Sequence, residues 1–161
     1  GDGDGDGDGD GDGDCVPLNA DASSWLATYF PGAQGEESYL SANLLQNIAG
    51  AEVDTINVEF WPSFGGAVTA GSYPLGIGTG NENYATCGYC VVIYADQEEW
   101  GTFLASAGTL TVDEVVSDLE LSGSLADVTL IEVTIDQDTD ESTPVPGGDC
   151  YFIASAAWNT I

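Results

Sequence analysis

The sequence predicts an all-β fold, an antiparallel β-sandwich or jelly roll of about seven to nine strands that follows a disordered N-terminal tether. Three observations support this prediction. Short segments rich in β-branched and aromatic residues recur along the chain, several of them alternate apolar with polar residues, and Gly, Asn, Asp or Pro separates them. Hydrophobic residues make up 43% of the chain, which is enough for a core.

The tether is the Gly-Asp tract of residues 1–14. Its seven Gly-Asp dipeptides contain nothing to bury, and their seven like charges repel one another. The composition changes abruptly at Cys15. We therefore expect a disordered linker over residues 1–14 and a single β-sandwich domain over residues 15–161.

The clearest strand signals are alternation and two-sided apolar runs. Residues 56–61 alternate apolar Ile, Val and Phe with Asn, Glu and Trp, which is typical of a half-buried strand. Residues 89–95 are apolar on both phases, so both faces of that strand should be covered. In residues 128–135 the apolar phase switches between Leu130 and Ile131, which indicates a bulge or two-sided burial. Further strands are predicted over residues 71–76, 108–112, 119–121 and 150–154.

Two segments are ambiguous. Leu40, Leu44 and Ile48 fit one face of a helix, whereas Leu40, Ala42 and Leu44 fit a strand. The position of this segment before the strand at residue 56 slightly favours a hairpin partner. Residues 23–30 fit either one helical turn or an edge strand.

The charge balance excludes several classes of function. The chain has 28 Asp and Glu but no Lys, Arg or His. Nucleic-acid binding and phosphate clamps need cations, and histidine catalysis is impossible. Seven of the acids lie in the tract, which leaves 28 − 7 = 21 for the domain. The fold must therefore be stabilised by apolar burial, hydrogen bonds and covalent links.

The sequence also bears on location. No stretch approaches the roughly 18 apolar residues that span a bilayer, so no direct membrane insertion is expected. The chain has neither an initiator Met nor a signal peptide, and we expect a mature form or a fragment. Cys15 is not a lipobox cysteine, because Gly and Asp precede it.

Four cysteines, Cys15, Cys87, Cys90 and Cys150, predict structural disulfides in an oxidising compartment. A redox pair at Cys87 and Cys90 is the alternative, but strand residues follow the motif instead of a helix, and no cation could stabilise a thiolate. A four-thiolate zinc site lacks a second close pair. If Cys87 and Cys90 share a strand, their odd separation directs them to opposite faces. We then expect them to pair with Cys15 and Cys150 and not with each other.

Two acidic segments are candidate calcium ligands. Asp2, Asp4 and Asp6 before Gly7 match the opening of a calcium loop, although the distal Glu of an EF-hand is missing. A solvated spacer is the simpler interpretation. The second candidate contains four acids, and an ordinary acidic turn is the alternative because no Gly follows its third Asp. These residues are Asp136, Asp138, Asp140 and Glu141. The sequence thus requires no cofactor, and calcium is the candidate that these segments offer.

The aromatic residues offer a second class of site. Trp61, on the polar phase of its strand, and Trp100, beside Glu98 and Glu99, are expected to be exposed and could stack on sugars. Core packing is the more common role of such residues. A glycosidase-type pair of carboxylates would need two acids facing one cleft, and no pair stands out. No enzymatic activity is therefore predicted.

The stretch 69–150 covers about half of the chain, and four turn-and-strand segments in it resemble uncharacterised β-rich domains of secreted or lipid-anchored Gram-negative surface proteins. The resemblance implies a surface β-domain behind a low-complexity tether, often after a lipidated cysteine that would lie upstream of Gly1. It carries no functional residues. The segments are TAGSYPLG (69–76), NYATCGYCVVIY (83–94), SAGTLTV (106–112) and SGSLADVTLIEVTID with STPVPGGDC (122–150).

The sequence thus predicts a non-enzymatic extracellular or cell-surface β-domain with a structural or adhesive role, stabilised by disulfides and weakly calcium-binding. The alternative is a carbohydrate-binding module that uses exposed Trp and Tyr. The expected partner is a glycan or another surface protein, with no nucleic acid.

Overall fold

The fold is described from a computed structural model, which covers residues 15–18, 27–33, 36–44, 48, 50, 53–96, 101–117 and 120–160. The Gly-Asp tract, and with it the predicted linker boundary, lies outside these residues. The strands are β1 (Val16–Pro17), β2 (Thr28–Phe30), β3 (Ser38–Asn43), β4 (Thr55–Phe60), β5 (Gly71–Pro74), β6 (Tyr89–Ala95), β7 (Gly101–Ser117), β8 (Glu120–Ile135), β9 (Ser142–Pro144) and β10 (Cys150–Asn159), with one 3₁₀ turn at Pro62–Phe64.

The predicted all-β class is confirmed, since the described residues contain ten strands and no α-helix. All ten strands belong to one mixed sheet that does not close on itself. The order along the sheet is β1-β10-β8-β7-β6-β4-β3-β2, with β5 and β9 paired to β7 and β8. Every pairing is antiparallel except that of β1 with β10.

Most of the predicted strands are confirmed. The segment 89–95 is β6 with the predicted bounds, and 56–61 corresponds to β4. The ambiguous segment at Leu40 is β3, which is the hairpin partner of β4, with Leu40 opposite Val58. The predicted piece 108–112 is part of the long strand β7, residues 120–121 of the piece 119–121 begin β8, and residues 28–30 form the edge strand β2.

One face of the sheet, called the inner face here, carries a single apolar cluster from β3, β4, β6, β7, β8 and β10. Phe60, Ile93, Leu110 and Ile153 are among its fully buried members. The alternation in β4 places Ile56, Val58 and Phe60 on this face. Because a strand alternates its side chains between faces, its polar phase lies on the opposite, outer face.

The long strands change the phase of their buried side chains at a common level of the sheet. In β7 the residues that face the inner cluster are first odd-numbered, Phe103 and Ala105, and then even-numbered, Leu110 and Val112. The alternation in β8 and β10 changes phase in the same region. Gly108 and Asp127 adopt positive φ here, at 120° and 52°. A Cβ on Gly108 would lie 2.7 Å from the Cα of Val128, so only glycine fits this close approach.

The predicted phase switch in β8 has a different position. The shift occurs around Asp127, whereas Leu130 belongs to the inner cluster and Ile131 packs against the outer one. Of the two interpretations offered by the sequence, two-sided burial is therefore confirmed for Leu130 and Ile131. Near this position the register irregularities lie in β7 between Ala105 and Thr109, and β7 has two more between Val112 and Ser117.

Candidate functional site

The outer face of the sheet is partly covered by the connection between β5 and β6, residues 75–88. This connection is fastened to β9 by three hydrogen bonds between Asn83 or Tyr84 and Ser142, of 3.0 to 3.3 Å. Beneath it lies a small apolar cluster whose buried members are Cys87, Cys90, Val92, Leu104 and Val133. The rings of Trp61, Tyr84 and Tyr94 pack against this cluster.

Cys87 and Cys90 form a disulfide within this cluster, and Cys15 pairs with Cys150. The prediction of disulfides is thus confirmed by the pairing, but the expected cross-pairing was wrong. Its premise fails because Cys87 precedes β6 and lies in a turn, where its N–H donates to the carbonyl of Asn83 at 2.9 Å. The two sulfurs therefore meet on the same face, and the strand argument about opposite faces does not apply.

Glu59 is the central polar residue of the outer face. It lies in β4 and is only 2% exposed, although its polar phase predicted a solvated position. The Tyr94 hydroxyl donates to Glu59 Oε1 at 3.1 Å, and the Trp61 indole N–H donates to Oε2 at 3.3 Å. The side chains of Tyr84 and Asn57 also hydrogen-bond the carboxyl group. Protein donors thus replace water around this buried acid.

Burial raises the pKa of Glu59 from its ordinary value, and the surrounding donors oppose that rise because they favour the charged form. Glu37 lies immediately before β3 on the same face. Burial, and then the negative charge of Glu59, raise the pKa of Glu37 to about 7. The two glutamates are consequently an interacting pair of carboxyl groups in a chain that has no basic side chain to neutralise them.

Tyr84 and Tyr94 connect this cluster to a cleft. Their hydroxyl oxygens lie 3.4 Å apart and share a hydrogen bond. Burial and the charge of Glu59 raise the pKa of both tyrosines, so both stay protonated at neutral pH. The two tyrosines also line an open cleft of about 510 Å³ where β6 ends, β7 begins and β8 ends.

The candidate ligand-stacking residues have different surroundings from those expected. Trp61 was predicted to be exposed, which was wrong. It is half-buried because its ring meets Tyr84 edge-on at 6.5 Å and its N–H is committed to Glu59. Trp100 lies outside the described residues. The more accessible aromatic groups are Phe64 and Phe30, and the ring of Phe30 stacks on Tyr39 at 4.8 Å.

The acidic turn at residues 136–141 closes on itself. Asp136 Oδ1 accepts the backbone N–H groups of Asp138 and Thr139 at 2.9 and 3.0 Å, and these bonds lower the pKa of Asp136. Within the described ranges no group of three or more Asp, Glu, Cys or His residues could hold a metal ion. The geometry of Asp136, Asp138, Asp140 and Glu141 therefore lends no support to calcium binding. Asp2, Asp4 and Asp6 lie outside the described residues, where calcium binding stays a prediction.

Sequence reasoning missed Glu59, Glu37, Tyr84 and Tyr94. One available signal was the two-sided apolar pattern of β6, because a strand covered on both faces implies that its neighbour is covered as well. β4 pairs with β6 along its whole length, with Glu59 opposite Cys90. The outer face of β4 therefore lies under the same cover.

No protein-family model, curated protein or solved structure matches this chain. The described part of the chain contains no helix that is long and apolar enough to cross a membrane.

Proposed function

We propose that this chain is a non-enzymatic, disulfide-stabilised β-domain with a structural or adhesive role on the outside of a cell. The Gly-Asp tract would serve as its tether. The observation that carries the proposal is the pairing of all four cysteines. Stable disulfides are typical of secreted and surface proteins, because the reducing cytosol opposes them. The resemblance to Gram-negative surface domains supports the same location.

The cysteine next to the tract strengthens the argument for a tethered domain. Cys15 directly follows the last Gly-Asp dipeptide and is bonded to Cys150, the first residue of β10. The point where the tract leaves the domain is thus fixed to the sheet by a covalent bond and by the parallel pairing of β1 with β10.

The burial of Glu59 supports the non-enzymatic part of the proposal. Glu59 and Glu37 are the two interacting carboxyl groups of the outer face, and acid–base catalysis would need both within reach of a substrate. Trp61, Tyr84 and Tyr94 cover Glu59, and their donors occupy its oxygens.

The location can be tested by proteolysis of intact cells that express the full-length protein. Asp-N protease cuts before aspartate, and we expect it to sever the Gly-Asp tract and release the folded domain into the medium. Trypsin is the matched control, because residues 1–161 contain no Lys or Arg. Polyethylene-glycol maleimide should shift the released domain on a gel only after reduction. Release from lysed cells alone, together with free thiols, would overturn the proposal.

Carbohydrate binding is the second candidate, and the outer-face aromatic groups favour it. Phe30 is 42% exposed and stacks on Tyr39, and Phe64 is 49% exposed beside Trp61. Such rings can stack on sugar faces. A glycan array, read with and without calcium, should then show selective binding that Tyr39→Ala abolishes. Tyr73→Ala is the control, since Tyr73 stacks on Tyr89 away from these rings. Equal losses in both variants would contradict this candidate.

A further inference from the structure

The cleft beside Tyr84 and Tyr94 has the chemical character of a binding site for a positively charged ligand. Its volume of about 510 Å³ lies within the range of small-molecule sites. It opens where β6 ends, β7 begins and the turn after β8 starts. Its polar lining includes two tyrosines, two threonines, a glutamine and two acids: Tyr84, Tyr94, Thr102, Thr134, Gln137, Glu132 and Asp140.

The charge of this lining is uncompensated by basic side chains. Glu132 and Asp140 contribute carboxylates, and the chain has no Lys, Arg or His that could pair with them. Glu132 is held in place because its Oε2 accepts the backbone N–H of Asp149 at 3.0 Å. An anionic ligand is therefore excluded, and a cationic ligand would supply the counter-charge that the chain lacks.

The tyrosine hydroxyls add acceptors to the same cleft. Tyr94 donates its proton to the buried Glu59, and Tyr84 shares its own with Tyr94 or Glu59. Because both protons are used in hydrogen bonds within this cluster, a ligand can meet these hydroxyl groups only through the lone pairs of their oxygen atoms. The hydrogen bonds to buried Glu59 thus determine that the hydroxyl groups act as acceptors, and not as donors, towards a ligand. The rings themselves attract cations that lie over their faces.

We propose that this cleft binds the primary ammonium group of an organic cation. Such a group has three donors, which match the carboxylates of Glu132 and Asp140 and a tyrosine oxygen. The apolar Val133 and Ile135 line the same cleft and can pack against the methylene stem of the ligand. A free diamine and the lysine side chain of a partner protein carry the same group, and the experiment separates these sources.

The test is isothermal titration calorimetry of the oxidised full chain with 1,5-diaminopentane and, separately, with a short lysine peptide. We expect saturable one-site binding of at least one of them. 1,5-Pentanediol and the same peptide with acetylated lysine serve as neutral controls and should bind at least tenfold more weakly. Saturable binding of the diamine assigns the site to free amines, and binding of the peptide alone assigns it to a protein partner.

Matched variants separate a specific site from general attraction to an acidic protein. Glu132→Gln with Asp140→Asn should weaken binding at least tenfold. Asp113→Asn with Glu114→Gln removes the same charge from exposed positions of β7 outside the cleft and should change affinity less than twofold. Equal losses in both double variants, equal binding of the neutral controls, or the absence of saturable binding would overturn the proposal. Urea unfolding of each variant verifies that it is folded.

Discussion

The two faces of the sheet are stabilised by different means. The inner face buries aliphatic and aromatic side chains from six strands in one cluster. The outer face has a much smaller apolar cluster. It is stabilised in addition by a disulfide, by the connection of residues 75–88 and by the hydrogen bonds of Glu59. The chain carries 28 acids, yet it buries Glu59 in this face because neutral donors surround the carboxyl group. The contrast teaches that apolar burial stabilises the sheet itself, whereas polar contacts hold the connection of residues 75–88 against its outer face.

Removal of each disulfide should have the largest effects and should differ sharply between the two bonds. Cys15–Cys150 closes a loop with a sequence separation of 135, and Cys87–Cys90 in the outer cluster one of 3. Chain entropy predicts losses of about 5 and about 2 kcal/mol in the free energy of unfolding. Urea unfolding of Cys15→Ser/Cys150→Ser and Cys87→Ser/Cys90→Ser measures both. Equal losses would show that the outer cluster depends on its disulfide for more than loop closure.

Truncation of one leucine on each face compares the two clusters directly. Leu110 and Leu104 both lie in β7 and are 0% and 2% exposed, but Leu110 belongs to the inner cluster and Leu104 to the outer one. Leu→Ala in a core costs about 2–5 kcal/mol. We expect Leu110→Ala near the upper end of that range. Leu104→Ala should lie near the lower end, because the connection above it can collapse into the space.

Urea unfolding measures this comparison, because the midpoint and the m-value of each variant give its free energy of unfolding. A loss for Leu104→Ala as large as that for Leu110→Ala would mean that the outer cover is as rigid as the inner core.

Removal of a donor from Glu59 should have an intermediate effect. Tyr94→Phe leaves a buried carboxylate with one hydrogen bond fewer, at a cost of about 1–3 kcal/mol at pH 8. The cost should shrink at pH 4, where a protonated carboxyl group needs the donor less. Tyr73→Phe, which removes a hydroxyl that donates to the exposed Thr69 carbonyl at 2.8 Å, is the control and should show little pH dependence. A loss for Tyr94→Phe that is the same at both pH values would contradict the inference that the charged form of Glu59 depends on this donor more than the protonated form does.

The smallest predicted effect concerns Glu37. Its pKa is about 7 in the folded protein and ordinarily 4.5, so the folded state binds its proton more tightly than the unfolded state. The corresponding stability is present below pH 4.5 and is lost as the pH rises to about 7. Glu37→Gln should flatten this decline, with a change of about 2–4 °C in Tm because solvent screens the half-exposed group. Glu36→Gln, at the exposed neighbouring position, should leave the decline unchanged in differential scanning calorimetry from pH 4 to pH 8.

The inner face could be predicted from the sequence, and the outer face could not. Alternation in β4 identified Ile56, Val58 and Phe60 as core residues, because a two-residue period is a local property. The burial of Glu59 depends on residues 75–88, which cross its strand from another part of the chain. The alternation within β4 does not reveal such a cover, and the two-sided apolar pattern of the neighbouring β6 indicates it only indirectly. The same holds for the turn at Cys87, which determined the disulfide pairing.

The bond between Cys15 and Cys150 also determines how the domain carries a mechanical load. A pull on the residues before Cys15 crosses this bond directly to the first residue of β10. If the opposing force acts on the chain after Cys150, residues 16–149 form a closed covalent loop that does not bear the force. Tension of this kind is carried by β10 and not by the other strands. Even if those strands unfolded, the closed loop would keep them from bearing the force. Only reduction of that one bond would expose the whole sheet to the load.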